Sequence, residues 1–236
     1  MKHAVGTESV DTQGRPPWVA RTIIVVLGLA LWFITQSLIG SRAPVQLEES
    51  ATITASEGDV LFRVTRRANE YLHVHPSYAD ALLIASSAVI DALGIWLIAV
   101  SIFGATMRPF VGLLILFALR QISQALCVLP APEGMIWHDP GWPSLLVTYQ
   151  VANDFFFSGH TAIAVFGGLQ IARLKWRGTF ALGLAIAVFE MTTVIVLRAH
   201  YSMDVFAGAI AALWAASAAE RVGPMLDRAI ARRGTE

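Results

Sequence analysis

The chain has 236 residues, of which 56% are hydrophobic and only 14% are charged, and its mean hydropathy is +0.60. A soluble domain normally carries about 25% charged residues, so this composition excludes an ordinary soluble protein and indicates a membrane protein. Lys and Arg together number 17, as do Asp and Glu, so the net charge predicts no nucleic-acid partner, and the single cysteine excludes an internal disulfide.

Six apolar stretches are long enough to cross a bilayer as helices, which takes about 20 residues. In chain order they are Trp18–Ile39, Ala81–Phe103, Pro109–Leu129, Ser158–Leu174, Thr179–Leu197 and Met203–Ala219. The sequence therefore predicts an all-α, polytopic membrane protein built as a six-transmembrane-helix bundle. Residues 18–219 form this six-span domain, between an N-terminal tail (1–17) and a C-terminal tail (220–236).

The Lys and Arg residues of the short loops predict the orientation of the bundle. With the N-terminus inside, the inner segments hold most of these residues, and the long outer loop 130–157 holds none. Because cytoplasmic loops carry an excess of Lys and Arg, both termini are expected in the cytoplasm.

Residues 58–72, between the first two predicted spans, have the pattern of an amphipathic helix. Apolar residues recur at helical spacing, with basic and acidic residues opposite them: Val60, Leu61, Val64, Ala68 and Leu72 against Arg63, Arg66, Arg67 and Glu70. Such a helix could lie on the outer membrane surface or pack over the mouth of the bundle, and the pattern fits both arrangements equally.

Two polar stretches fall at the same, outer end of the predicted bundle. The first runs from Asn153 to Thr161 and enters the fourth span, and the second runs from Arg198 to Asp204 and joins the fifth span to the sixth. Each stretch contains one histidine. The predicted orientation depends only on Lys and Arg, so the shared location of the two histidines is independent support for a site at this end.

Two histidines at one membrane face suit phosphoester chemistry. A neutral imidazole can attack phosphorus and form a phosphohistidine, while a protonated imidazole donates to the departing alkoxide. Asp204 follows His200 by one helical turn, where its carboxylate can hold that imidazole in one tautomer. Ser158 and Gly159 precede His160 at a helix start, whose backbone amides favour a phosphate. The alternative is that these side chains only anchor the helix ends in the interface.

Asp91, Arg120 and Glu190 lie within predicted spans, at similar depths below the outer end. Ionisable residues inside a membrane are costly and mark functional sites by default. Two interpretations are open: Arg120 binds a substrate phosphate bidentately, or it forms an internal ion pair with Asp91 or Glu190.

The remaining polar and aromatic residues of the outer loops predict no metal site. The loop histidines lack acidic or cysteine partners at ligand spacing. Three tryptophans near the ends of the predicted spans are interpreted as interfacial anchors: Trp18, Trp137 and Trp142.

Three short segments occur in an order that is typical of one enzyme family. They are Arg120-Gln121-Ile122-Ser123 running to Leu129-Pro130-Ala131-Pro132, then Ser158-Gly159-His160-Thr161 with Asp154 six residues before the histidine, then His200-Tyr201-Ser202-Met203-Asp204. Over roughly 81–219 the chain thereby resembles the sphingomyelin synthase family, a branch of the type 2 phosphatidic acid phosphatase superfamily.

The resemblance implies a nucleophile at His200, its partner at Asp204 and a leaving-group acid at His160. The implied substrate-binding residues are Arg120, Asp154, Ser158 and Gly159. The implied reaction moves phosphocholine or phosphoethanolamine from a glycerophospholipid to ceramide or a similar lipid alcohol, with no metal or cofactor required.

Two other functions stay open. If water took the place of the lipid alcohol, the protein would be a lipid phosphatase or a phospholipase C-like hydrolase. A transporter or structural membrane protein would use the buried charges instead of the histidines. The expected partners are membrane lipids, such as a glycerophospholipid donor and a ceramide or diacylglycerol-type lipid, and the sequence does not predict the oligomeric state.

Overall fold

A computed structural model describes residues 17–41, 56–127, 129–147, 149 and 156–233. Asp154, residues 1–16 of the predicted N-terminal tail and residues 234–236 of the C-terminal tail lie outside the described residues. All regular structure within the described ranges is α-helical, which confirms the predicted all-α class.

Seven helices of 14 residues or more follow one another along the described chain. They are α1 (Pro17–Gly40), α2 (Val60–Val74), α3 (Pro76–Phe103), α4 (Arg108–Leu126), α5 (Gly159–Ala172), α6 (Thr179–Val196) and α7 (Ser202–Arg233). Proline in the first turn starts α3 and α4, where its missing N–H would have no partner in any case. Asp59 caps α2 by accepting from the N–H groups of Leu61 and Phe62.

Five of the described helices, α1, α3, α4, α6 and α7, are long and apolar enough to cross a membrane, in agreement with an integral membrane protein. The predicted fourth span corresponds to α5, which has only 14 residues. Its length is therefore about 21 Å, less than the roughly 30 Å of a bilayer core. The count of six spans is not confirmed. The last helix also continues beyond the predicted end at Ala219, through Pro224, to Arg233.

Helix α5 lies at the centre of the bundle. It packs against α3, α4, α6 and α7, and ten of its 14 residues are buried. Gly168 brings α5 into backbone contact with α6, because a Cβ added there would lie 2.6 Å from the carbonyl oxygen of Gly183. This burial explains the apolar sequence of α5 without requiring the full length of a membrane span.

Helix α2 packs over the end of the bundle and still exposes an apolar face. Phe62, Asn69 and Leu72 are buried, and the Asn69 amide donates to the carbonyl oxygens of Gly134 and Val196 at 3.1 and 2.9 Å. The side chains on its other apolar face remain exposed, among them Val60, Leu61 and Val64. Helix α2 therefore packs over the end of the bundle, and its exposed apolar face is also compatible with contact to the outer membrane surface.

The acidic residues within α3 and α6 bind polar groups of neighbouring segments. The Asp91 carboxylate accepts from the backbone N–H groups of Leu145 and Leu146, at 2.8 Å each, and from the Ser144 hydroxyl at 3.1 Å. Glu190 accepts from the Ser86 hydroxyl at 2.6 Å. Asp91 thus anchors the loop that follows α4 against the side of α3.

Candidate active site

His200 and Asp204 come together at the turn between α6 and α7. Arg198, with a φ of 52°, helps to reverse the chain after α6. Asp204 Oδ2 accepts from the Tyr201 N–H at 2.9 Å and lies 3.8 Å from His200 Nδ1. His200 is 6% exposed and Asp204 is 0% exposed. The separation exceeds hydrogen-bond length, but it places the carboxylate on the Nδ1 side of the imidazole.

His160 is the second residue of α5, and the start of α5 contacts the start of α7. The Ser158 N–H donates to the carbonyl oxygen of Asp204 at 3.1 Å. Gly208 permits this approach, because a Cβ added there would lie 2.6 Å from the Ser158 carbonyl oxygen. The two histidine-containing stretches, about 40 residues apart in sequence, are therefore joined by a backbone hydrogen bond.

A cavity is lined at one end by His160, His200, Arg120 and Gly159. Arg120 passes close over the helix start, since a Cβ added at Gly159 would lie 3.0 Å from its Nε atom. His160 lies within electrostatic reach of both Arg120 and His200. This end of the cavity therefore combines an invariantly cationic guanidinium with two imidazoles, a combination that favours a phosphodiester anion.

The rest of the cavity wall is apolar and comes from several elements. Ile90 belongs to α3, Leu116 and Phe117 to α4, and Leu146 to the loop anchored by Asp91. The cavity thus has a polar end and an apolar body, as binding of a lipid headgroup and its acyl chains requires.

The other two predicted site residues are Ser158, which is not found in the cavity lining, and Asp154. Ser158 is fully buried, and its Oγ accepts from the Thr161 N–H at 3.3 Å, so this side chain caps α5 rather than lining the cavity. Asp154 lies outside the described residues. Within the described ranges, no group of three or more His, Cys, Asp or Glu side chains is arranged to hold a metal ion.

The sequence does not predict the contacts that two residues make near the site. Trp137, predicted as an interfacial anchor, lines the cavity and packs edge-on against His160, with ring centroids 5.2 Å apart. Asp59 accepts from the Ser202 N–H at 2.7 Å and from the Ser202 hydroxyl, so the cap of α2 also braces the turn that carries His200. Only the N-cap position of Asp59 has a local sequence signal, and nothing local marks either tertiary contact.

Comparison with protein families identifies a match that covers most of this bundle. The family model described as AtPDCT1/2 matches residues 58–221, which span α2 to most of α7. That family consists of phosphatidylcholine:diacylglycerol cholinephosphotransferases. No curated protein and no solved structure matches the chain significantly.

This match overturns the expected assignment to the sphingomyelin synthase family, and ceramide loses its support as the acceptor. The physical reason lies in what the short segments encode. The segments around His160 and His200 carry the side chains that the sequence predicts for phosphoester chemistry. The identity of the lipid alcohol depends on the shape of the cavity, which those segments do not specify.

Proposed function

Because the chain belongs to the AtPDCT1/2 family, we propose that it transfers phosphocholine from phosphatidylcholine to diacylglycerol within the membrane. The observation that carries this proposal is the shared cavity, in which His160, His200 and Arg120 lie at the polar end of an apolar pocket. The reaction passes through a phosphohistidine. Donor and product have the same headgroup, so the enzyme exchanges headgroups between diacylglycerol molecules.

In the first half-reaction, the donor phosphodiester lies between Arg120 and the two imidazoles. His200 Nε2 attacks phosphorus, and the bond between phosphorus and the diacylglycerol oxygen breaks. His160 gives its proton to the departing alkoxide, which leaves as diacylglycerol. The bound phosphodiester is the anion that pairs with protonated His160 before this transfer. Asp204, on the Nδ1 side of His200 at 3.8 Å, stabilises the positive charge that develops on that ring.

The second half-reaction reverses these steps with another diacylglycerol molecule. Its hydroxyl gives a proton to neutral His160 as its oxygen attacks phosphorus, and the bond between phosphorus and His200 breaks. Phosphatidylcholine leaves, and both histidines regain their starting protonation states. Arg120 holds the non-bridging phosphoryl oxygens in both half-reactions and stabilises their developing charge.

The apolar body of the cavity supports a lipid alcohol rather than water as the acceptor. Leu116, Phe117, Leu146 and Ile163 line the wall beside the polar end. An acyl chain lying against these side chains would exclude water from the phosphohistidine and limit hydrolysis.

The proposal is tested with purified protein in liposomes that contain phosphatidylcholine and a diacylglycerol with distinguishable, labelled acyl chains. Labelled phosphatidylcholine is the expected product. His200→Ala should form neither product nor phosphoenzyme, and His160→Ala should slow both half-reactions by about 100-fold or more, the usual contribution of a general acid. His138→Ala is the matched control, because His138 is exposed and bonds to Asp80 outside the cavity.

Other products would point to other functions. Release of free phosphocholine without labelled phosphatidylcholine would make the protein a hydrolase. A labelled ceramide added in a separate arm tests whether acceptor choice extends beyond diacylglycerol. Normal phosphoenzyme formation by His200→Ala would refute the assigned nucleophile.

A further inference from the structure

The indole of Trp32, in α1, forms part of the cavity wall, and its buried N–H group is without a hydrogen-bond acceptor among the described residues. Trp32 is 6% exposed. The ring is held firmly, because it stacks on Phe117 with centroids 4.5 Å apart and an interplanar angle of 20°. Buried donors in proteins almost always have a partner, so this group requires an acceptor that the described part of the chain does not supply.

The position of Trp32 relates it to the phosphate end of the cavity. The side-chain amide of Gln121 donates to the carbonyl oxygen of Trp32 at 3.2 Å, which ties this turn of α1 to the turn of α4 that carries Arg120. Measured along the helix axes at 1.5 Å per residue, Trp32 lies about 12 Å from the end of α1 and Arg120 about 9 Å from the end of α4. The Trp32 indole therefore lies at about the same depth in the bundle as the Arg120 guanidinium, beside the apolar part of the cavity wall.

We propose that Trp32 Nε1–H donates a hydrogen bond to an ester carbonyl of the diacylglycerol moiety, which makes α1 part of the lipid-binding site. This inference rests on the proposed function. With the phosphorus held by Arg120 and the two histidines, the ester carbonyls are the next hydrogen-bond acceptors along the lipid, a few bonds away through the glycerol. The acyl chains beyond them offer no acceptor, and most of the other residues of the cavity wall are apolar.

The same contact serves both half-reactions. Phosphatidylcholine and the diacylglycerol that accepts the headgroup carry an identical diacylglycerol moiety. A single N–H group, that of Trp32, can therefore position both lipids. The family match begins at residue 58, so α1 lies outside the matched region, and the role of Trp32 follows from the cavity of this chain alone.

The test compares two acceptors, a diacylglycerol and the corresponding 1,2-dialkylglycerol, whose ether links lack the carbonyl oxygens. The wild-type protein should use the diacyl acceptor with a kcat/KM about three- to tenfold higher, the range expected from one neutral hydrogen bond. Trp32→Phe keeps an aromatic ring against Phe117 and removes the donor. It should lower the ratio of kcat/KM between the diacyl and the dialkyl acceptor by the same factor, so that the variant uses both acceptors about equally.

The matched control is Trp214→Phe, the same substitution at a tryptophan that is 57% exposed and outside the cavity lining. It should leave the ratio between the two acceptors as in the wild type. Equal use of both acceptors by the wild-type protein would overturn the inference without any variant, so the test does not depend on the folding of Trp32→Phe. An equal fall with both acceptors in Trp32→Phe would overturn it too, since it would indicate a packing role.

Failure of the inference and failure of the proposed function are distinguishable. If the wild-type protein transfers phosphocholine but shows no preference for ester links, the proposed function is retained and the proposed role of Trp32 is refuted. If it transfers none to either acceptor, the proposed function itself falls.

Discussion

Asp91→Asn tests whether the carboxylate of Asp91, in α3, holds a wall of the cavity in place. The Asp91 Oδ2 atom accepts from the Ser144 hydroxyl and the Leu145 N–H, and Oδ1 accepts from the Leu146 N–H. Asparagine keeps one of these oxygens and replaces the other with an amide that cannot accept. In the orientation that preserves the bond to Leu146, two hydrogen bonds to a charged acceptor are lost.

The size of the effect follows from these bonds. A hydrogen bond to a charged group contributes about 1.5–3 kcal/mol, but water can replace part of it here because Leu145 is exposed. We therefore expect a loss of about 2–3 kcal/mol, which for a chain of this size corresponds to a fall in melting temperature of roughly 4–12 °C. Leu146 and Val147 line the cavity, so the loosened loop should raise KM for the lipid more than it lowers kcat.

The assay combines thermal unfolding in detergent with transferase kinetics in liposomes. Asp139→Asn is the matched control, since Asp139 lies in the same loop, is exposed and accepts from the Gly141 N–H at 2.8 Å. An unchanged melting temperature for Asp91→Asn would refute the anchoring role. Complete loss of activity in Asp91→Asn, together with an active His200→Ala variant, would support an ion-transport function instead of the enzyme.

Two further predictions concern packing and orientation. Gly168→Ala forces a methyl group against the backbone of α6 and should destabilise the protein by about 1–3 kcal/mol, measured by thermal unfolding. Gly58→Ala is the control and should leave the stability unchanged, because a Cβ at Gly58 meets nothing within 4 Å. If both variants melt alike, the close contact between α5 and α6 is wrong. In a Cys127→Ser background, an impermeant thiol reagent applied to intact cells should label Trp142→Cys and not Trp176→Cys, because the basic loops predict that Trp176 faces the cytoplasm. The reverse labelling pattern would invert the predicted orientation.

Much of the secondary structure could be predicted because its causes are local. Apolar runs of sufficient length locate five helices that can cross a membrane, and prolines in the first turn mark the starts of α3 and α4. The spacing of His200 and Asp204 also acts locally, since four residues around the start of a helix place the two side chains 3.8 Å apart. The start of α5 is marked in the same way by Ser158, whose hydroxyl caps the helix.

The difference between the predicted fourth span and the 14-residue helix α5 has a general physical origin. Burial among other helices and burial in lipid select the same apolar residues, so hydropathy alone cannot separate a short central helix from a membrane span. The composition of α5 predicts an apolar environment, and only the packing of α3, α4, α6 and α7 around it identifies that environment as protein. Its 14-residue length then becomes compatible with its place in the bundle.

The sequence by itself determined the helical class, the membrane environment and the pairing of His200 with Asp204, because hydropathy and helical spacing act over a few residues. The tertiary structure alone decided that Trp32 lies on the cavity wall and that Asp91 anchors a loop more than 50 residues later in the chain. It also decided that both histidines share one cavity. These contacts join residues far apart in sequence, and each exists only because whole helices pack in one arrangement among the many that the same apolar runs would permit.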